Sequence, residues 1–200
     1  MVNRFLGMDA VAEWIEECDA VCISVEYRLA PENPDPAPLE DCCTGLKWVG
    51  NNLETLGIDL EKLMIAGQSA GGGLAAGVAL LVRDKGDPKL CAQCLCYPML
   101  DDRNTTISSH QYAKDGSWNR QKNLTGWSCL LGERAGGSEV NFYTAPGRAT
   151  DLSEPHLPLL MLHQQRYSEM KMLHMQRFCG LLEFRLNCMS GQVDSMNLIC

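Results

Sequence analysis

The sequence predicts an α/β fold with a mostly parallel sheet, and three observations predict it. Short apolar, β-rich runs recur through the first hundred residues. Stretches with apolar residues at helical spacing separate them. One strand-to-helix junction carries Gly67-Gln68-Ser69-Ala70-Gly71. Strands that alternate with helices pair in parallel, because a helix is the usual crossover between parallel neighbours.

The elements follow in chain order. Residues 8–18 place Met8, Val11, Trp14, Ile15 and Cys18 at helical spacing, with Asp9 and two glutamates opposite. Ala20 to Tyr27, AVCISVEY, is a short apolar run that reads as a buried parallel strand. LAPENPDPAP holds four prolines in ten residues and predicts an ordered loop. A helix is expected over 38–55, opened by Pro38, with Leu39, Cys42, Cys43, Leu46, Val49 and Leu53 on its apolar face. LMIAG at 63–67 is a second strand, Gly71 to Arg83 a helix rich in Ala, Leu and Val, and LCAQCLCYPML at 90–100 a third strand. Residues 101–153 are polar and loop-rich, with a helix expected around Gln121–Leu131.

Composition bounds the function. A chain of 200 residues and 22.1 kDa suits one domain or most of one. With 46% hydrophobic and 21% charged residues it is neither disordered nor fibrous. A net charge of −8 argues against a polyanion as main partner, so no nucleic acid is expected. No apolar run reaches the roughly 18 residues of a membrane span. No signal peptide is visible, so a cytoplasmic location is expected. The eleven cysteines are odd in number and read as free intracellular thiols. Cys91, Cys94 and Cys96 look like half a zinc site, but no second Cys/His pair follows at ligand spacing. They read as buried strand cysteines, and no metal is expected.

The pentapeptide at 67–71 fits G-x-S-x-G between a predicted strand and a predicted helix. There the chain must reverse direction within about two residues, which strains the serine backbone. The flanking glycines, Gly67 and Gly71, are expected to let neighbouring atoms pass without clash. Such a turn lifts the Ser69 hydroxyl above the carboxyl edge of the sheet, at a helix N-terminus whose free N–H groups favour developing negative charge. Ser69 is therefore the candidate nucleophile, and the Ala70 N–H a candidate oxyanion donor.

The sequence resembles the hormone-sensitive-lipase-like branch of the α/β-hydrolases, a family of carboxylesterases and lipases. Four segments carry the resemblance: VEYRLAPENPDPAPLED at 25–41, IDLEKLMIAGQSAGGGLAA at 58–76, YPMLDDR at 97–103 and NFYTAPGRATDLS at 141–153. The family usually has Asp before the serine, where this chain has Gln68. The resemblance implies a three-layer α/β-hydrolase sandwich and hydrolysis of carboxylic esters, with a small-molecule ester as partner and no organic cofactor. It also implies that Asp101 and Asp102 are loop carboxylates, solvated or hydrogen-bonded, rather than a metal or acid–base pair. The oligomeric state is not implied.

The family mechanism also uses a His-Gly-Gly-Gly-type oxyanion loop, a later acidic residue and a histidine after the last strand. No HGG occurs here, and none of His110, His156, His163 and His174 stands in a Gly-Phe-His setting. The expectation is a partial hydrolase domain over 1–153, truncated at its N-terminus so that Met1 falls just downstream of the family's oxyanion loop, and missing the strand between those at 20–27 and 63–67, which leaves two facing sheet edges. Residues 154–200 form an aberrant tail with helical apolar spacing at Met172, Met175, Cys179, Leu182 and Leu186. A bland amphipathic helix and a Met-rich partner-binding helix both fit that spacing. A shifted reading frame fits better. Joining the third base of one codon to the first two of the next fixes glutamate at Met170-Lys171, alanine at Met175-Gln176, leucine at Phe178-Cys179 and Asn187-Cys188, and glutamate at Met196-Asn197. One permitted reading from Leu157 ends in GGFHEFDL, the family's histidine motif. On this reading the family function is ester hydrolysis by Ser69, and this chain is impaired. The alternative is a non-catalytic fragment or pseudo-enzyme. The coding DNA is expected to lack one base near codon 155 relative to a full-length relative. Stops in the shifted frame, or no GGFHEFD, would exclude the frameshift.

Overall fold

The computed structural model describes residues 11–12, 15–16, 19–111, 113–114, 116 and 118–152, and the backbone alone of 159–162 and 197–199. Its elements are β1 (Val21–Ile23), α1 (Ala37–Asn51), α2 (Leu53–Leu56), β2 (Leu63–Gln68), α3 (Ala70–Lys85), β3 (Ala92–Cys96), α4 (Ile107–Gln111), α5 (Arg120–Leu131), β4 (Leu159–Leu162) and β5 (Asn197–Ile199). The sheet order is β1-β5-β2-β3-β4, and every pairing is parallel. The predicted α/β class and parallel sheet are present.

Burial explains the order. Leu63, Ile65 and Leu95 pack from one sheet face against Leu39, Leu46 and Val49 of α1 and Val78, Ala79 and Val82 of α3. Met64, Ala66, Ala92, Cys94 and Cys96 lie on the opposite face and are buried as well. Burial on both faces is why these strands read as continuous apolar runs rather than as alternating ones. Cys94 and Cys96 are thus buried strand cysteines, as expected, whereas Cys91 precedes β3 and is half-buried. Their side chains hydrogen-bond each other, which raises the Cys94 thiol and lowers that of Cys96.

The strand and helix boundaries differ in instructive ways. The strand expected over 20–27 shrinks to three residues, because β1 has a ladder partner only across Val21–Ile23. The strand expected over 90–100 stops at Cys96, where Tyr97 takes a left-handed φ of 38° and Pro98 follows. The helix expected over 38–55 divides at Asn52. There the Asn52 side chain donates to the Trp48 carbonyl at 2.7 Å, and a left-handed Gly57 closes the second piece. The helices expected over 71–83 and 121–131 appear as α3 and α5. The short α4 was not expected. Of the helix expected over 8–18, residues 11, 12, 15 and 16 are helical and the others lie outside the described residues.

One expectation is overturned. The edges of β1 and β2 do not face each other unpaired, because β5 lies between them, with Asn197 opposite both Val21 and Leu63. Parallel edges with free N–H and C=O groups are costly, and any segment able to pair removes that cost. Segment 159–162, in the frame as written, likewise pairs with β3. The helical apolar spacing at 172–186 lies outside the described residues.

Side-chain clamps fix the loops over this sheet. Arg28 grips Asp41 of α1 through two side-chain nitrogens and its own backbone N–H, and these bonds hold the Asp41 carboxyl below its usual range. In the proline-rich loop, Asp35 accepts from Arg134 at 3.0 Å and from Thr144 at 2.6 Å, while its N–H donates to the Leu130 carbonyl at 2.9 Å. That loop is ordered, as the proline content predicted. A second apolar cluster of Trp127, Leu131, Val140 and Ala145, with Met99 against it, lies beneath the segment it is pinned to.

Candidate active site

The site is built at the carboxyl end of β2. Ser69 separates β2 from α3 and has φ 55° and ψ −116°. A non-glycine residue there costs about 1–3 kcal/mol and persists only where its surroundings over-determine it. Three backbone hydrogen bonds do so. The Ser69 N–H donates to the Cys96 carbonyl at 2.9 Å. The Ser69 carbonyl accepts from Gly73 at 3.1 Å and from Met99 at 2.9 Å. The turn after β3 therefore braces the turn after β2 from both sides of one residue.

The hydroxyl is left over. A serine at a helix N-cap normally accepts a hydrogen bond from the first turn. Ser69 makes no such bond, and no described residue partners its hydroxyl. Its neighbours Gln68 and Ala70 are exposed and Ser69 is half-buried, so the side chain stands at the surface end of the strand. The Ala70 N–H is the first of the three α3 amides, before Gly73, that have no intrahelical acceptor. Among the described residues this puts an unpartnered hydroxyl beside an N–H without an intrahelical acceptor, at the positive end of a 16-residue helix.

Close packing makes the turn possible. A Cβ on Gly67 would overlap the Gly71 carbonyl, and one on Gly73 would overlap the Met99 carbonyl. The expectation for Gly71 itself is corrected, since nothing lies within 4 Å of where its Cβ would be. The second steric requirement has moved along the helix to Gly72 and Gly73, whose faces meet Pro98 and Met99. The pentapeptide could not show this, because the crowding atoms come from the next strand's turn.

Asp101 and Asp102 lie away from acid–base work. Asp101 is held by the Arg103 guanidinium at 2.8 Å. Asp102 is buried and accepts two bonds from Arg148, at 2.6 and 2.9 Å, and one from the Gly136 N–H at 2.6 Å. Burial alone would raise its carboxyl, but the Arg148 and Gly136 bonds outweigh burial and hold it below the usual range. His110 is the one histidine among the described residues, exposed on α4. His156, His163 and His174 lie outside them. Among the described residues no three His, Cys, Asp or Glu side chains are grouped as a metal ion would need. No helix among them is long and apolar enough to cross a membrane.

Comparison with known proteins places the fold. A profile of the alpha/beta hydrolase fold matches residues 7–166, four-fifths of the chain. The chain belongs to the alpha/beta hydrolase fold family, in its hormone-sensitive-lipase-like branch. It is 49% identical over 79 residues to carboxylesterase NlhH of Mycobacterium tuberculosis, covering 40% of this chain and 25% of that protein. It is 40% identical over 114 residues to arylacetamide deacetylase of Bos taurus, covering 54% and 29%. Among solved structures, a bacterial heroin esterase superimposes with a TM-score of 0.66 at 35% identity, covering 88% of this chain and 53% of that one. The chain spans about a quarter of the length of these curated relatives.

Sequence reasoning located Ser69 and Ala70 but not the Cys96 carbonyl, the Met99 N–H or the Asp102–Arg148 pair around them. YPMLDDR was conspicuous as a segment, yet backbone bonds to another turn leave no trace in residue type. Two substitutions separate the glycines. Gly67→Ala is expected to destabilise the fold by about 1–3 kcal/mol or more, as overpacking against backbone does. Gly71→Ala is expected to change stability by no more than about 1 kcal/mol, the helix-propensity difference. Denaturant midpoints of the two variants check both.

Proposed function

We propose that this chain carries the nucleophile half of a serine carboxylic-ester hydrolase acting on small-molecule esters. The observation that carries the reading is the strained Ser69 conformation, with its hydroxyl unpartnered among the described residues and beside the Ala70 N–H. A helix that needed only a cap would use the serine hydroxyl to bond its own amides. Here the backbone is strained and the side chain left unused, an arrangement suited to attack on an external carbonyl. Relatives named carboxylesterase and arylacetamide deacetylase support the same chemistry.

In the proposed reaction the Ser69 Oγ attacks the ester carbonyl carbon. The developing oxyanion accepts from the Ala70 N–H, and the alcohol leaves as the acyl group passes to Oγ. Water then releases the acid. Each proton transfer needs a base, and no described residue reaches the hydroxyl to act as one. Without it, catalysis falls to a residual of about 10³–10⁴ over the uncatalysed rate. The frameshift reading of residues 154–200 belongs to the same proposal: one permitted reading of the shifted frame contains a Gly-Phe-His segment. That no described residue serves as the base also favours a second reading, a non-catalytic family member that binds esters without turnover.

A fluorophosphonate and a short p-nitrophenyl ester distinguish these readings. The phosphonate is expected to give one adduct, on Ser69 Oγ with loss of fluoride, that Ser69→Ala abolishes. Hydrolysis of the ester above a Ser69→Ala control supports the enzyme. An adduct without turnover supports the non-catalytic reading. An adduct elsewhere, or one that survives Ser69→Ala, overturns both.

A further inference from the structure

The catalytic reading leaves one costly feature unused, the buried Asp102–Arg148 pair. The Asp102 side chain is fully buried and that of Arg148 nearly so. A surface ion pair would be cheaper to keep, because taking two charges out of water carries a large desolvation cost. The position of the pair in the chain gives it a use. Asp102 lies three residues after Met99, whose N–H holds the Ser69 carbonyl, and six after Cys96, whose carbonyl holds the Ser69 N–H. The intervening turn passes through a left-handed Tyr97 and Pro98.

We propose that Asp102 is a positioning residue for Ser69. Paired with Arg148, it fixes the far end of the 97–103 turn so that the near end holds the elbow in its strained conformation. The path is continuous. At the far end the Gly147 N–H donates to the Leu100 carbonyl at 2.8 Å, and Arg103 reaches the Gly147 carbonyl at 3.0 Å. Arg148 and the Gly136 N–H close on Asp102. At the near end Pro98 and Met99 press on Gly72 and Gly73, and two backbone bonds grip Ser69. Asp102 touches no reacting atom and acts only through this turn. The proposal rests on the reading of Ser69 as nucleophile, but the mechanical coupling stands or falls apart from it.

Two measurements on the full chain test this. Hydrogen exchange is followed at the Ser69, Gly73 and Met99 amides, with Leu46 and Val49 of α1 as controls. The inactivation rate of Ser69 by a fluorophosphonate is split into kinact and KI. Asp102→Asn removes the charge. Arg148→Lys keeps the charge but loses the two-pronged grip, and serves if Asp102→Asn does not fold. Arg28→Lys weakens a clamp on a different loop and is the negative control. In Asp102→Asn and Arg148→Lys, exchange at the three elbow amides is expected to rise by about tenfold while α1 is unchanged, as for a local opening. The phosphonylation kinact is expected to fall with KI unchanged, and Arg28→Lys should do neither. Unchanged elbow exchange in a folded variant overturns the coupling, as does an equal rise in α1, which would mark Asp102 as structural only. No phosphonylation of the unsubstituted chain would sink the nucleophile reading instead, and the exchange result would still decide the coupling.

Discussion

The structure depends on the backbone of a single residue. Ser69 is held with φ at 55°, where an L-residue is strained by about 1–3 kcal/mol. Three backbone hydrogen bonds oppose that strain, each contributing about 1 kcal/mol net. The balance is close, so the conformation survives only with the tight packing of Gly67, Gly72 and Gly73 against their neighbours. The rest of the fold can be read as support for that balance. Buried β2 and β3 bring their two turns into register, with Gln68 opposite Cys96. Helix α3 supplies free amides at the point where charge would develop.

The parallel sheet makes this geometry available. Strands β2 and β3 are buried on both faces, so they are apolar along most of their length. Functional groups then gather where the strands end and the loops begin. The same dependence on neighbours explains the placement of β5. A three-residue β1 could not persist at a distance from β2, and the segment at 197–199 joins them. Pairing of this kind asks only for backbone and apolar residues, which the run at 159–162 supplies beside β3.

Much of this was legible in the sequence, for identifiable reasons. Strands β2 and β3 are continuous apolar runs bounded by turn residues. Helices α1 and α3 have apolar faces at helical spacing, and Leu39, Leu46 and Val49 are buried as that spacing predicts. The G-x-S-x-G spacing located Ser69, because few residue types tolerate a reversal so abrupt. What the sequence hid is non-local. The early end of β1 reflects where its partner stops. The break at Asn52 depends on a side-chain bond to Trp48. The need for Gly73 depends on Met99, 26 positions away. Asp102 looked like one of two loop carboxylates, and only its contact with Arg148, 46 positions on, separates it from Asp101.

The central claim is that strain at Ser69 presents a nucleophile beside an oxyanion donor. A crystal structure of the chain after reaction with a fluorophosphonate tests this most directly. The account predicts phosphorus bonded to Ser69 Oγ, the Ser69 φ still near 55°, and a phosphoryl oxygen about 2.7–3.1 Å from the Ala70 nitrogen. Phosphorus on another residue, or a Ser69 relaxed to a helical or extended φ with its hydroxyl capping α3, would contradict it.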